Sequence, residues 1–253
     1  MRLHEAAEIL GVHYQTAYGW VREGKLPARM VAGGYDLTEA DVQAFKAQRQ
    51  LGRESASQIQ VRDWAAQVGR LYRAIANGEE TQARRAMDRL AGAISMTDLC
   101  DRVIAPALRQ IGDAWQTGAV SIAQEHRATA ICERIIAAYS SRPAGRPRGV
   151  AVAATPAGER HAMPSLMAAA ALRENHWRVH HLGADLPAAE IATLAADSGA
   201  SLVVLSTATA YGVTSALQAR KLIERIVLGV TVLTGRSGET LAGLAAASRS
   251  PAS

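Results

Sequence analysis

Thr155-Pro156-Ala157-Gly158-Glu159-Arg160-His161-Ala162-Met163-Pro164 stands between two runs of opposite character. Before it, residues 149–154 form a short apolar run bounded by Pro147 and Pro156, which predicts a buried strand. After it, Ser165-Leu166-Met167-Ala168-Ala169-Ala170-Ala171-Leu172-Arg173 is built from strong helix formers, with Pro164 where a first helical turn tolerates it. The ten residues are therefore a loop at a strand's C-terminal end, where open α/β sheets bind ligands. Glu159, two residues before His161, is placed to accept the imidazole's second ring N–H. That would fix the tautomer and make the other nitrogen a better metal ligand.

Downstream, the same alternation repeats. Apolar runs at 149–154, 178–182, 202–206 and 230–233 read as strands, and helical patterns fall near 164–175, 188–198, 213–226 and 239–247. Strands separated by such helices imply a parallel sheet with right-handed crossovers. His180 and His181 alternate to opposite faces of one strand and read as structural. Ser206 and Thr207 close the third strand, and Thr234 and Gly235 close the fourth. These hydroxyls and bare backbone can meet polar groups of a buried ligand.

Upstream, four helical segments at 58–77, 79–94, 96–115 and 121–140 are separated by Asn77-Gly78, Ser95 and Thr117-Gly118. Short connections make antiparallel neighbours, hence a four-helix bundle whose Leu, Ile and Val stripes are core. Trp115 ends one helix and Glu125-His126 begins the next, so a large flat ring, an acid and an imidazole converge across a tight connection. That combination suits a bulky ligand with an apolar face and hydroxyls.

The first fifty residues read differently. Leu3, Ala6, Ala7, Ile9 and Leu10 give a short amphipathic helix stopped by Gly11, and a second, from His13, carries Ala17, Trp20 and Val21 to Gly24. Gly33-Gly34-Tyr35-Asp36-Leu37 reads as a hairpin-like wing, and Thr38 caps a third helix. This is a winged helix-turn-helix. Residues 51–57 and 141–148 read as linkers.

Composition sets bounds on all of this. With 253 residues the chain accommodates two or three domains. A hydrophobic content of 49% with only 4% aromatic residues implies cores of small and aliphatic side chains. The formal charge of +5 is compatible with a polyanionic partner, yet the head itself carries six Lys/Arg against six acids and should bind DNA weakly as one copy. An oligomer presenting several heads would bind more tightly. Two cysteines, Cys100 and Cys132, are too few for a disulfide framework. No signal-peptide stretch or uncharged apolar run of ~18 residues is apparent, so the expectation is a cytoplasmic protein without a membrane span. No paired catalytic acids or nucleophile–base arrangement stands out, and no enzymatic turnover is expected.

Three resemblances follow from these residues. Residues 1–50 resemble the DNA-binding head of the MerR and excisionase families through Leu10-Gly11-Val12, Trp20, Gly24, Leu26 and Pro27. That resemblance places Tyr14, Gln15, Tyr18 and Arg22 on the groove side, with Lys25 and Arg29 near phosphates. Glu159-x-His161 resembles the Asp/Glu-x-His-x-x-Gly signature of cobalamin-binding domains, with Pro164 in place of the final Gly. His180 to Pro187 matches the phrase closing the second strand there. Leu205 to Thr209 resembles the Ser-x-Leu region, and Thr234 stands in the first place of a usual Gly-Gly. Trp115 with Glu125-His126 resembles the W-x9-E-H motif of the helical cap in CarH and LitR light-dependent regulators.

Taken together, the chain resembles a regulator of the CarH/LitR type. The resemblance implies a winged helix-turn-helix at 1–50, a four-helix-bundle cap at 58–140 and a Rossmann-like cobalamin-binding domain at 149–253 with a shortened C-terminal edge. It implies adenosylcobalamin as chromophore, with His161 as lower cobalt ligand, Trp115, Glu125 and His126 over the upper face, and Ser206, Thr207, Thr234 and Gly235 along the nucleotide tail. A dark tetramer on a double-stranded DNA operator, released by light, is the implied switch. Gln116 stands where some members place a second cobalt-binding His. The rival readings are a cobalamin, haem or redox sensor indifferent to light, with Cys132 and the several histidines keeping haem possible, and a corrinoid carrier of a methyltransferase system.

Overall fold

Helix formers and apolar runs alternate as described above, and a computed structural model of the chain shows what they build. It describes all residues except 11, 13, 23, 32–33, 48–62, 91–92, 141–145, 237–238 and 249–253. The linker expected at 51–57, most of that at 141–148 and the start of the helix expected from residue 58 lie outside the described residues. The chain divides into two compact units, Met1–Asp63 and Trp64–Ser253.

In the first unit, α1 (Leu3–Ile9) and α2 (Tyr14–Arg22) precede a hairpin of β1 (Arg29–Val31) and β2 (Gly34–Asp36), followed by α3 at residues 39–47. The hairpin pairs antiparallel, with Met30 opposite Tyr35. Thr38 caps α3 by accepting from the Asp41 N–H at 3.1 Å. Leu3, Ala6, Ala17, Leu26, Val42 and Phe45 form the core, and the Trp20 and Phe45 rings lie 5.3 Å apart.

The second unit begins with the bundle: α4 (Trp64–Asn77), α5 (Glu80–Asp88), α6 (Met96–Leu99), α7 (Ala105–Gln116) and α8 (Ile122–Tyr139). The helix expected at 79–94 already ends at Asp88. The one expected at 96–115 is not uniform, because a π-helical turn, Cys100–Ile104, joins α6 to α7. Pro106 supplies the reason. It has no N–H to give to the carbonyl four residues back, and its ring crowds that carbonyl. The ladder widens instead, and the Ala105 N–H reaches the Cys100 carbonyl. At α8, Ser121 and Gln124 form a reciprocal capping box.

The sheet carries four parallel strands in the order β4-β3-β5-β6: β3 (Val150–Pro156), β4 (Arg178–Leu186), β5 (Leu202–Ser206) and β6 (Thr231–Gly235). Strand β4 runs four residues beyond the expected 178–182, because two register shifts let it follow β3 to Pro156. Helices α10 (Ala188–Asp197) and α11 (Ala210–Ile226) cover one face, against Val152, Ala154, Val203 and Leu205. Helices α9 (Met163–Glu174) and α12 (Leu241–Ala247) cover the other, against Ala151, Leu202 and Val204. Among the described residues β6 remains the sheet's C-terminal edge.

Bundle and sheet are joined through α9, whose Met163 and Ala170 enter the bundle core. Two carboxylates reinforce the joint reciprocally. Glu174 of α9 accepts from the Met96 N–H at 2.6 Å and from the Thr97 N–H and hydroxyl at 3.0 and 2.8 Å, capping α6. Asp101 of the π-turn accepts from the Leu241 and Ala242 N–H groups at 2.9 and 3.1 Å, capping α12. Each side thus satisfies helix-end donors of the other.

Candidate functional site

The loop after β3 is shaped by Gly158, whose φ of 83° suits glycine, and whose Cβ, if present, would lie 2.3 Å from the Tyr211 ring. The Gly158 N–H donates to Asp185 Oδ1 at 2.7 Å, and the Asp185 N–H donates to the Glu159 carbonyl at 3.1 Å. The end of β4 therefore pins the loop, turning Glu159 inward and leaving His161 facing out.

Glu159 is only 1% exposed, yet it is well supplied with donors. Its Oε2 accepts from the Ala208 N–H at 3.0 Å, the Thr209 N–H at 2.8 Å and the Thr209 hydroxyl at 2.7 Å. Its Oε1 accepts from the His161 N–H at 3.2 Å and lies 2.5 Å from His161 Nδ1. Burial by itself raises the carboxyl's pKa. The Thr209 hydroxyl, His161 and the Thr209 and Ala208 backbone donors outweigh it and bring the value down to about 2. Thr209 is also the N-cap of α11, accepting from the Gly212 N–H at 3.0 Å, so the carboxylate sits at the positive end of a 17-residue helix. A Cβ at Gly212 would come within 2.4 Å of Glu159 Oε2, so glycine there is what allows the approach.

The consequence appears at His161. Its Nδ1 is set against an ionised acid, an arrangement that favours a proton on that nitrogen, and Nε2 is the ring nitrogen that Glu159 does not engage, on a side chain 61% exposed. His161 lines a cavity of about 1510 Å³ between sheet and bundle. That is above the ~300–1,000 Å³ usual for drug-sized ligands. Trp115, Glu125 and His126 line it from the bundle, and Ser206, Thr207, Thr234 and Gly235 from the sheet. Trp115 and Ile122, 46% and 59% exposed, present apolar surface. Glu125 accepts from the Thr129 hydroxyl at 3.0 Å and lies 3.7 Å from His126 Nε2.

Eight of the nine cofactor candidates thus line one cavity, from its two sides, and Glu159 stands behind His161. Thr207 has a second duty, since its N–H and hydroxyl both donate to the Gly235 carbonyl, at 3.0 and 3.2 Å, tying β5 to β6. Pro164 sits in the first turn of α9 and is part of the wall. His181 lies 3.1 Å from the Ser165 hydroxyl, which donates to the Ala162 carbonyl, so it braces the loop. Burial, then Arg173, pushes its pKa down. Cys132 is fully buried in the bundle core and is not among the residues that line the cavity.

In the first unit Tyr14, Gln15, Arg22, Lys25 and Arg29 are exposed. Tyr18 is half-buried, stacked on Tyr14 at 6.2 Å and edge-on to Tyr35 at 5.9 Å, so it also braces α2 against the wing.

Reading the sequence alone missed Thr209, Gly212 and Asp185. A signal existed for the first, because Thr209 begins a helical run as an N-cap residue does. Among the described residues no cluster of three His, Cys, Asp or Glu side chains suits a metal ion, and no helix is long and apolar enough to cross a membrane.

Residues 1–50 match the family model of a helix-turn-helix domain, and residues 68–139 and 149–241 each match one described as a B12 binding domain. The chain is 27% identical over 218 residues to the HTH-type transcriptional repressor CarH of Myxococcus xanthus, covering 75% of this chain and 73% of that protein. It is 26% identical over 211 residues to the repressor CarA of the same organism, covering 76% and 70%. The monomethylamine corrinoid protein of Methanosarcina barkeri superposes with a TM-score of 0.57 at 16% identity, over 70% of this chain and 94% of that one, a likeness of fold.

Proposed function

We propose that this chain, a CarH-type cobalamin-binding regulator, holds adenosylcobalamin between bundle and sheet and uses it as a chromophore that controls assembly and DNA binding. One observation carries the reading: an imidazole whose Nδ1 is locked by a buried carboxylate faces, from the sheet, a cavity that an exposed tryptophan lines from the bundle. The donor set fits a corrinoid. A group that brings its own nitrogens to the cobalt would need a further ligand from the protein, and His161, its Nδ1 against Glu159, would supply it from the cavity wall.

In this reading His161 would hold the cobalt, and Glu159, fixed by Thr209, would position the imidazole. Trp115 and Ile122 cover the upper group, Glu125 and His126 meet its hydroxyls, and Ser206, Thr207, Thr234 and Gly235 border the nucleotide tail. Bound adenosylcobalamin supplies a cobalt–carbon bond that visible light breaks. Trp115 and Ile122 would contact an upper group in the dark form alone, and that difference in binding would bias the position of the bundle. Gln116, an amide next to Trp115 in the cavity wall, would offer no imidazole from the bundle side. Several heads on one dark tetramer, with Tyr14, Gln15, Tyr18 and Arg22 toward the groove and Lys25 and Arg29 toward phosphates, would compensate a head of zero net charge.

The test is reconstitution in darkness with adenosylcobalamin, gel filtration, and measurement of spectrum, elution volume and retention on duplex DNA before and after green light. Expected are a bound corrinoid spectrum, a larger dark assembly and DNA release on illumination. Wild-type-like uptake and absorption bands in His161→Ala would reject the site. Unchanged elution and DNA retention in light would leave a light-indifferent cobalamin sensor.

A further inference from the structure

Beneath the His161 loop an otherwise apolar contact turns polar. Helix α9 meets the sheet through Ala168 and Leu172 against Ala151 and Val204, but its first turn brings a fully buried Ser165 against a half-buried His181 of β4. His181 lies on the strand face of Val179, which packs in that apolar cluster, while Leu182 packs in the cluster on the other face. Polar groups in such a place are costly unless they are hydrogen-bonded. The pair is therefore to be understood by the bonds it makes.

Those bonds run in one direction. The Ser165 hydroxyl has one proton, which goes to the Ala162 carbonyl at 2.8 Å. Toward His181, 3.1 Å away, the same oxygen is then an acceptor, so His181 donates from Nε2. The Ala162 carbonyl also accepts from the Leu166 N–H at 3.0 Å, which occupies both its lone pairs. Ala162 follows His161 and is the N-cap of α9, where it makes no side-chain cap bond, and Pro164 in the first turn has no N–H to give. Ser165, with His181 behind it, supplies the side-chain bond that this turn otherwise lacks. Strand β4 thereby grips the loop on both sides of His161: Asp185 bonds Gly158 and Glu159 before it, and His181 acts through Ser165 on Ala162 after it. Neither His181 nor Ser165 is among the residues that line the cavity, so they act on a ligand only through the loop.

We infer that His181 is a positioning residue for His161: its Nε2–H, relayed through Ser165 to the Ala162 carbonyl, fixes the downstream half of the loop and with it the imidazole offered to the cavity. The inference rests on the corrinoid reading of that cavity. The test uses full-length protein grown on histidine labelled with the heavy nitrogen isotope and loaded with cob(II)alamin. In electron spin resonance each cobalt line then splits in two for a labelled protein imidazole on the metal, and in three for the cofactor's own unlabelled base. Wild type should give the two-line splitting, and His161→Ala should lose it. His181→Leu and Ser165→Ala should bind cob(II)alamin about 10-fold more weakly and exchange part of the two-line splitting for three lines or none. His181→Gln, whose side-chain amide can still donate to Ser165, should keep it. A two-line splitting of wild-type strength in either His181→Leu or Ser165→Ala would overturn the inference, even with a lowered melting temperature, because packing alone would then explain the pair. A loss in His181→Gln equal to that in His181→Leu would overturn it as well. Wild-type protein that binds no cob(II)alamin, or binds it without the two-line splitting, would instead sink the reading of His161 as cobalt ligand.

Discussion

Replacing Glu159 by Gln tests the electrostatic base of the site. Glu159 is 1% exposed and accepts from five protein donors, so its carboxyl pKa falls from an ordinary 4.5 to about 2. A difference of that size corresponds to about 3 kcal/mol of folding stability at neutral pH. The sign follows from the direction. A depressed folded pKa stabilises fully above the unfolded value and is lost as pH falls through the folded one. Glutamine keeps the shape but offers one carbonyl. Turned either way, its NH2 faces donors, at Thr209 and Ala208 or at His161. Glu159→Gln should therefore melt roughly 6–12 °C below wild type at pH 7. By pH 3 the gap should lose ~2 kcal/mol of its size, because the unfolded wild type is then largely protonated. Scanning calorimetry or urea denaturation from pH 7 to pH 3 measures both. A neutral-pH melt within 2 °C of wild type, or a gap that does not narrow with acid, would refute the account of how Glu159 is held.

The joint between bundle and sheet gives a second expectation. Glu174→Gln should lower the stability of the Trp64–Ser253 unit by about 2 kcal/mol, since it weakens three charge-assisted bonds at 2.6 to 3.0 Å to the α6 N-terminus. A calorimetric shift under 1 °C would show the cap to be dispensable. Cys100 and Cys132 are both fully buried, and burial, the largest cause, pushes their thiols up, Cys132 to about 12. Ellman's reagent should therefore release nothing from native protein within minutes and two thiols per chain in guanidinium; rapid native release would place a cysteine at the surface.

How much of this was legible depends on sequence separation. Glu159 and His161 are two residues apart, and Trp115 and Glu125 are joined by one tight turn, so local spacing was enough to put each pair on the same loop or helix end. The sheet's parallel order followed from strands alternating with helices. Thr209 reaches Glu159 across 50 residues, Glu174 reaches Met96 across 78, and Asp101 reaches Leu241 across 140. No periodicity encodes such contacts, which exist only once the layers have packed. The π-turn was hidden for another reason: widening a helix by one residue leaves the apolar spacing of Leu99, Val103 and Ala107 nearly unchanged, and Pro106 is the sole local hint. Strand β4 was read short because bulges let it pair beyond the point where its apolar run fades.

These magnitudes bear on why a regulator of the proposed kind would work as an assembly. With 46% of its surface uncovered, Trp115 has roughly 90 Å² to bury against an upper group, about 2 kcal/mol, and Ile122 at 59% adds about 1. Losing roughly 3 kcal/mol shifts an equilibrium by about two orders of magnitude. Complete inversion of a two-state population needs about 5.5 kcal/mol. A single protomer therefore falls short of an all-or-none response, while two or more protomers that open together exceed it. Each carboxylate joint, at about 2 kcal/mol, lies on the same scale. In the proposed reading the bundle would keep its place while an upper group is bound and would yield when several protomers lose theirs at once.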